Sequence, residues 1–111
     1  MKSLHTMALV AIFGASACSL TVPVKGQMTD GSETFTGTAT GEADSAGTLT
    51  IVSNRGRTCT GDFVYTTGRT GEGIFQCDDG QSGPFRFVST GLRGSGTGTI
   101  GGQNFTFTFG R

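Results

Sequence analysis

Side chains that could catalyse a reaction are scarce in this chain of 111 residues. Its only histidine, His5, lies in a segment that we expect to be removed, which leaves no histidine for a catalytic triad or a zinc site. The one later lysine, Lys25, has no nucleophile motif beside it. Asp62 and Glu72 fall on neighbouring predicted strands, but no aromatic residues that could bind a sugar accompany them. The sequence therefore predicts a protein that is not an enzyme.

The adjacent carboxylates of Asp78 and Asp79 are the one candidate for a metal site. Together with loop carbonyls they could hold Ca²⁺. An EF-type loop would also need oxygen ligands at alternate positions and a distal glutamate, which residues 81–83 do not supply. Asp79-Gly80 is a common turn pair, so we expect a turn here and neither a metal nor a cofactor.

The three cysteines, Cys18, Cys59 and Cys77, leave one unpaired if the chain is secreted. Cys59 and Cys77 are too far apart in sequence for a C-x-x-C redox motif, which favours a structural disulfide between them. Such a bridge contributes about 3 kcal/mol in the chain-entropy model. Cys18 is then the cysteine that needs another explanation.

The amino terminus reads as a targeting segment. Lys2 precedes an apolar run at 7–13, and the small residues Ala15-Ser16-Ala17 follow it. A run of this length is too short to span a bilayer, which takes roughly 20 apolar residues. The pattern predicts a cleavable signal peptide at 1–17.

The sequence Ala15-Ser16-Ala17-Cys18 resembles the lipobox of bacterial lipoproteins, with Ala15 where that family usually has Leu. The resemblance implies that Cys18 is acylated and becomes the first mature residue, which ties the protein to a membrane through lipid. Ser19 after the cysteine implies the outer membrane, facing the periplasm or the surface. Ordinary cleavage at the same site would instead release a soluble secreted protein, and both outcomes stay open.

Composition excludes nucleic-acid binding, because the formal net charge is zero and no Lys/Arg cluster forms a basic face. Four arginines gather near predicted hairpin loops and are weak candidates for a binding edge toward anionic lipid, glycan or an envelope partner. They are Arg55, Arg57, Arg69 and Arg93.

Alternating Gly, Thr and Phe predict strands throughout the mature chain. We expect a lipidated N-terminus and tether at 18–32, with at most an edge strand at 22–27 because Pro23 cannot donate to a ladder. An all-β domain at 33–111 follows, an antiparallel meander of about seven or eight strands. The predicted strands lie near 33–40, 47–53, 57–66, 70–78, 84–90, 94–100 and 103–109.

Turn residues fix how these strands pair. A two-residue loop at Gly101-Gly102 sets the last hairpin, and a four-residue loop at 90–93 sets the one before it. Three-residue loops at 67–69 and 54–56 set two earlier hairpins. The predicted inward pairs are Phe85–Gly98–Phe105, Phe87–Gly96–Phe107, Gly94–Phe109, Ser89–Gly94, Tyr65–Gly71, Phe63–Gly73, Gly61–Phe75, Cys59–Cys77, Ile51–Cys59 and Leu49–Gly61.

Large rings therefore stand beside glycines on one face of the sheet. A single curved sheet or a small open barrel would bury this phenylalanine face, whereas a flat sheet would expose it as an apolar patch. A closed face would make the domain a compact envelope module, and an open face would make it a docking surface.

The segment 59–81 resembles the segment 82–103, which indicates an internal repeat of supersecondary units. The matched positions are Gly61-x-Phe63 with Gly83-x-Phe85, and Gly68-x-x-Gly71-x-Gly73 with Gly91-x-x-Gly94-x-Gly96.

This repeat is similar to a divergent MORN repeat over about residues 59–105, with Cys59 and Ser82 in place of the usual leading tyrosine. That resemblance implies an elongated antiparallel sheet that serves as a scaffold for proteins or lipids. The ending at 101–110 also resembles small proteobacterial lipoproteins.

These observations predict a non-enzymatic cell-envelope lipoprotein that acts as a structural or binding module. The alternative is a periplasmic carrier or inhibitor that holds an apolar ligand or an envelope enzyme.

Overall fold

The computed structural model describes residues 19–42 and 44–111. The expected signal peptide at 1–17 and the candidate lipidation site Cys18 lie outside the described residues. Eight strands account for most of the described chain. They are β1 (Ser19–Met28), β2 (Thr34–Glu42), β3 (Ala46–Ser53), β4 (Thr58–Tyr65), β5 (Thr70–Cys77), β6 (Ser82–Thr90), β7 (Arg93–Ile100) and β8 (Gln103–Phe109).

Each strand pairs antiparallel with the next, and β8 pairs with β1, so the sheet closes into a barrel. The predicted all-β antiparallel meander is confirmed, and the phenylalanine face is enclosed by closure of the sheet. A barrel of eight strands has an interior just wide enough for side chains to fill it or for one small ligand to fit. Closure also removes the exposed sheet edges that invite pairing with other chains.

The predicted tether at 18–32 is wrong for most of its length. Residues Ser19–Met28 form β1, which pairs with β2 along nearly its whole length and with β8 from Val24 onward. Pro23 is tolerated because it lies where the ladder with β8 ends. Its carbonyl accepts a hydrogen bond from Gly110 N at 2.9 Å, and its nitrogen, on the same side of the strand, would be required only if β8 continued.

The predicted registers are confirmed for the β3–β4, β4–β5, β6–β7 and β7–β8 hairpins. Gly98 lies opposite both Phe85 and Phe105, and Gly96 lies opposite Phe107. One loop differs from the expectation at 90–93. Thr90 pairs directly with Arg93, so this loop has two residues and not four, which leaves the register of the hairpin unchanged.

The predicted disulfide is also confirmed. Cys59 and Cys77 lie directly opposite on β4 and β5, with both side chains buried, and they are joined. The neighbouring pair carries the ladder bond, from Asp78 N to Thr58 O at 2.9 Å, so the cysteines occupy the non-hydrogen-bonded kind of site, where side chains approach most closely.

The repeated segments correspond to the β4–β5 and β6–β7 hairpins. The similarity to MORN repeats implied an elongated sheet, whereas here both hairpins are parts of the barrel wall.

The core consists of phenylalanine rings that lie over glycines of the adjacent strand. A Cβ on Gly98 would come 2.8 Å from Phe85 Cβ and 2.8 Å from Phe105 Cε1. Rings meet each other as well, since the centroids of Phe75 and Phe85 are 4.4 Å apart. Such aromatic pairs contribute about 0.5–1.5 kcal/mol beyond the burial of their area. The narrow interior therefore holds large rings only because glycines alternate with them.

Replacing Gly98 with alanine tests this packing. The added methyl group would also lie 2.5 Å from the carbonyl oxygen of Pro84, and it meets Phe85 close to its backbone, so rotation of a ring relieves neither contact. We expect the Gly98→Ala change to lower the free energy of unfolding by about 1–3 kcal/mol, as overpacked cores do. Denaturant unfolding of the disulfide-bonded chain measures the change.

Gly68→Ala is the matched control, because a Cβ there has no neighbour within 4 Å and the backbone does not have a positive φ. Its effect should stay within about 0.5 kcal/mol, which is usual for surface substitutions. Equal effects of the two substitutions would show that ring–glycine contact does not limit the packing.

Candidate functional site

The two ends of the barrel are built from different loops. One end, which we call the plug end, carries the β1–β2, β3–β4, β5–β6 and β7–β8 loops. The other end, the cup end, carries the start of β1, the remaining three loops and the end of β8. An up-and-down meander forces this division, because successive loops must lie at opposite ends.

An ion pair covers the plug end. Arg57 donates from Nε to Glu33 Oε2 at 2.9 Å and from Nη2 to Glu33 Oε1 at 2.8 Å, which is the two-pronged geometry of strong arginine–carboxylate pairs. Its remaining Nη1 donates to Asp79 Oδ2 at 3.1 Å and to Gln81 Oε1 at 2.9 Å. Below them, the Phe35 ring lies 5.7 Å from the guanidinium carbon. One side chain thus joins three loops across the end of the barrel.

The charges of this network are mutually stabilised. Burial raises the pKa of Glu33, but hydrogen bonds from Arg57 and Ser53 and the positive charge of Arg57 outweigh it and bring that pKa below the ordinary value. The same contact raises the pKa of Arg57, chiefly through its hydrogen bond to Glu33. Glu33 is therefore ionised and only 5% exposed at neutral pH.

The acidic pair Asp78-Asp79 forms a turn, as the sequence favoured. Gly80 has a φ of 87°, its nitrogen donates to Cys77 O, and Asp79 Oδ1 accepts from Gln81 N at 3.0 Å. The other carboxylate oxygen of Asp79, Oδ2, accepts a hydrogen bond from Arg57 Nη1. Among residues 19–42 and 44–111, no group of three or more potential metal-ligating side chains is present.

The cup end is open and apolar. Inward side chains there enclose a cavity of about 280 Å³ between β1, β2, β3, β4, β6 and β8, which we call the cup. Its floor and walls consist of Val22, Ala39, Leu49, Phe63, Phe87 and Phe109. Leu20, Glu42, Tyr65 and Leu92 stand around its mouth.

The cup exists because β2 supplies little bulk at this end. After Phe35 near the plug end, its inward positions are Gly37, Ala39 and Gly41, all of them small. A Cβ built on Gly41 would have no neighbour within 4 Å. The opposite wall carries large side chains, but these do not reach far enough across the barrel to fill the space beside Ala39 and Gly41.

Aromatic rings form that opposite wall. The ring centroid of Phe87 lies 5.1 Å from that of Phe63, 5.4 Å from that of Tyr65 and 5.5 Å from that of Phe109. Each pair is in an edge-to-face arrangement. Tyr65 adds a hydroxyl to the groups around the cup. The cup therefore presents ring faces and edges with one phenol at its mouth.

The four candidate arginines do not form one binding edge. Arg55 and Arg57 lie at the plug end, where Arg57 is held by Glu33. Arg69 and Arg93 lie at the cup end. Arg69 donates to Ser89 O and to Thr90 Oγ1, while Arg93 donates to the carbonyl of Arg111.

The remaining sequence candidates lie on the outer wall, away from the cup. Lys25 is on β1 and not in a tether, opposite Thr36 and Thr108. Asp62 and Glu72 are exposed on β4 and β5 and are not paired with each other in the register. A wider hollow on the outside of the β5–β8 wall runs past Glu72 and the threonines of β7 and β8, and it is not enclosed by the barrel.

Two features of the site were not found from sequence. The cup depends on the β1–β2 and β2–β3 registers, which no turn signal fixed in advance. The run of small inward residues on β2 after Phe35 is the signal that would have indicated it. Glu33 and Arg57 are 24 positions apart in separate loops, and only the closed barrel brings them together.

Replacing Arg57 tests how much its ion pair with Glu33 contributes to the stability of the barrel. We expect the Arg57→Ala change to lower the free energy of unfolding by about 3 kcal/mol, because it leaves Glu33 buried and unpaired. Arg55→Ala, in the same loop but exposed, should change it by less than about 0.5 kcal/mol. Denaturant unfolding at neutral pH measures both substitutions.

The same pair predicts a pH dependence. Because the folded-state pKa of Glu33 lies below its ordinary value of 4.5, its stabilisation is present above that pH and is lost as the pH falls through the lower folded-state pKa. The difference in unfolding free energy between the unsubstituted chain and Arg57→Ala should therefore shrink on acidification. A difference that stays constant across this range would contradict the role given to Glu33.

No family model and no curated protein matches the chain. Solved structures do, among them two designed barrels. A redesigned β-barrel, mFAP1, bound to DFHBI, superposes with a TM-score of 0.68 at 16% identity, covering 82% of this chain and 92% of that one. A de novo designed fluorescence-activating β-barrel superposes with a TM-score of 0.64 at 15% identity, covering 82% of this chain and 90% of that one. At this identity the likeness shows the fold, an antiparallel β-barrel.

Proposed function

We propose that this chain is a non-enzymatic binding module of the cell envelope, which holds a small apolar ligand in the cup. The observation that carries the proposal is the cup itself, an apolar cavity inside the barrel that the chain's own side chains leave unfilled. Protein interiors are normally packed without such voids. Binding sites are the usual exception, being concave and largely apolar with a few polar groups.

The size of the cup limits what it can hold. Its volume of about 280 Å³ is just below the roughly 300–1,000 Å³ that is usual for small-molecule sites. A ligand of a few carbon atoms, or one slender part of a larger molecule, fits this volume. The favourable free energy of binding comes from removing the apolar surface of the ligand and of the cup from water.

The cup is also preorganised. The disulfide joins β4 to β5, the ion pair of Arg57 joins three loops at the far end, and the ladder closes the wall. A site that is already ordered loses little conformational freedom when a ligand enters. The barrel therefore suits the role of a receptor or carrier.

The polar groups at the cup support binding over catalysis. The groups lining it supply one carboxylate, Glu42, and one phenol, Tyr65. General acid–base chemistry on a bound substrate would call for a positioned pair with shifted pKa values. One of the structural neighbours, mFAP1, is bound to a small molecule, DFHBI. That fact concerns the designed barrel, and it supports the idea that a barrel of this size can hold a ligand.

We further propose, from the signal peptide and lipobox patterns of the sequence, that the barrel is anchored to a bacterial membrane by lipid on Cys18. Residues 19–42 and 44–111 contain no helix that could span a membrane. The anchor remains a proposal based on the sequence.

Filling the cup tests ligand binding. All eight strands and the closing ladder lie within residues 19–111, so a chain without residues 1–17 and with Cys18→Ser keeps every described barrel contact. Tyr65 is the only tyrosine and tryptophan is absent, so tyrosine emission reports on the cup alone. We expect a fatty acid brominated near the middle of its chain, below its micelle concentration, to quench Tyr65, and we expect Gly41→Phe to abolish the saturable quenching.

Gly68→Phe is the control, because Gly68 also has free space around it and lies in a loop at the same end. It should bind the fatty acid as the unsubstituted chain does. Unsaturable quenching, or quenching that survives Gly41→Phe in a folded protein, would refute a site in the cup.

The intact mass of the protein recovered from bacterial membranes tests the anchor. We expect a polypeptide that begins at Cys18 and carries diacylglycerol and acyl groups, and a small mass gain on reduction from the Cys59–Cys77 bridge. An unmodified chain that begins at Cys18 would refute lipidation and leave a soluble protein with a free thiol.

A further inference from the structure

We infer that the mouth of the cup faces the membrane and that the cup receives one acyl chain of a bilayer phospholipid. The inference rests on the proposed binding function and on the proposed anchor at Cys18. It adds the class of ligand and the direction from which the ligand enters.

The first step is the position at which the barrel begins. Ser19 is the first residue of β1 and pairs with Glu42, which stands at the mouth of the cup. Consecutive Cα atoms are about 3.8 Å apart, so an anchor on Cys18 has no spacer between the lipid and the barrel wall. A flexible tether would let the barrel turn freely, but β1 takes the place of that tether. The attachment itself holds the mouth against the bilayer surface.

The second step is the apolar surface around the mouth. Leu20 is 52% exposed and Leu92 is 57% exposed, and both also line the cup. Leu20 has the same strand parity as Val22, so it continues the inner face of β1 beyond the end of the enclosed core. Apolar side chains therefore lead from Leu20 and Leu92 at the exposed mouth to Leu49 inside the cup. A chain leaving the hydrocarbon of a bilayer would stay in apolar contact along this route.

The third step is the distribution of charge between the two ends. The plug end carries an excess of negative charge, whereas the charges of the cup end balance. At the plug end four carboxylates stand against two arginines, namely Asp30, Glu33, Asp78 and Asp79 against Arg55 and Arg57. At the cup end Arg69 and Arg93 are matched by Glu42 and Asp44. An anionic bilayer repels the plug end more than the cup end, so charge and anchor favour the same orientation.

The fourth step is the shape of the cup. A 280 Å³ cavity that is open at one end and walled by rings admits a slender chain but leaves a phospholipid head group outside. The head group then lies beside the arginines of the cup end, where an anionic phosphate is accommodated. A bilayer phospholipid satisfies both parts of the site at once.

Tyr65 makes the inference testable in the anchored protein. The full chain, lipidated in a bacterial host, is reconstituted into phosphatidylglycerol vesicles whose acyl chains are brominated near their middle. Bromine quenches tyrosine on contact, and Tyr65 lies at the cup. We expect brominated vesicles to remove most of the Tyr65 emission that is seen in unbrominated vesicles.

Matched variants locate the contact. Gly41→Phe, which fills the cup, should restore the emission. Leu92→Asp should also reduce quenching, because it places a charge in the apolar route at the mouth. Ile74→Asp is its control, since Ile74 is equally exposed at 57% but lies on the outer wall of β5. Circular dichroism of each variant confirms that the barrel is folded before quenching is compared.

The outcomes separate this inference from the proposed function. If the soluble fatty acid enters the cup but brominated vesicles leave Tyr65 unquenched, the membrane-facing arrangement is wrong and the binding function stands. If neither probe quenches, both proposals fail. Quenching by vesicles that Gly41→Phe does not change would also overturn the inference, because the acyl chain would then lie outside the cup.

Discussion

The alternation of phenylalanine and glycine across adjacent strands is the constraint on which this structure depends. Eight strands enclose a narrow interior, and that interior cannot hold a row of rings on every strand. A glycine opposite each ring leaves the space that the ring needs. The ring in turn covers the exposed backbone of that glycine. The Gly98 position, held between Phe85 and Phe105, shows how little space remains. Curvature, closure and core density all follow from this pairing.

The difference between the two ends follows from where the alternation stops. Near the plug, Phe35, Met28 and Ile100 fill the barrel, and the Arg57–Glu33 pair covers it. Toward the cup, β2 continues with Ala39 and Gly41, so rings on the far wall have no partner across the barrel. A polar network is stable at one end because the buried carboxylate of Glu33 is paired with Arg57. At the other end the missing bulk leaves a cavity, which makes that end the place where function is proposed.

The pairing of most neighbouring strands could be predicted from the sequence, but the closure of the sheet into a barrel could not. The pairs of the β3–β4, β4–β5, β6–β7 and β7–β8 hairpins follow from short glycine-containing turns, which set register locally. The β1–β8 ladder joins the two ends of the sheet, and nothing in a local pattern encodes such a contact. Pro23 also argued against a central strand, and it is accommodated in one because β8 ends beside it. The cup and the Arg57–Glu33 pair were missed for the same reason, since both arise from contacts that closure creates.

Closure by β1 and β8 also governs when the molecule can fold. The strand made first needs the strand made last, so a chain delivered from its amino terminus has seven strands and two open edges until β8 arrives. Contacts of such long sequence separation form late and slowly, because the loop entropy is lost before they are gained. The local hairpins, including the one later fixed by the Cys59–Cys77 bridge, can pair and separate in the meantime. Until β8 pairs with β1, the sheet therefore stays open and its phenylalanine face is not enclosed.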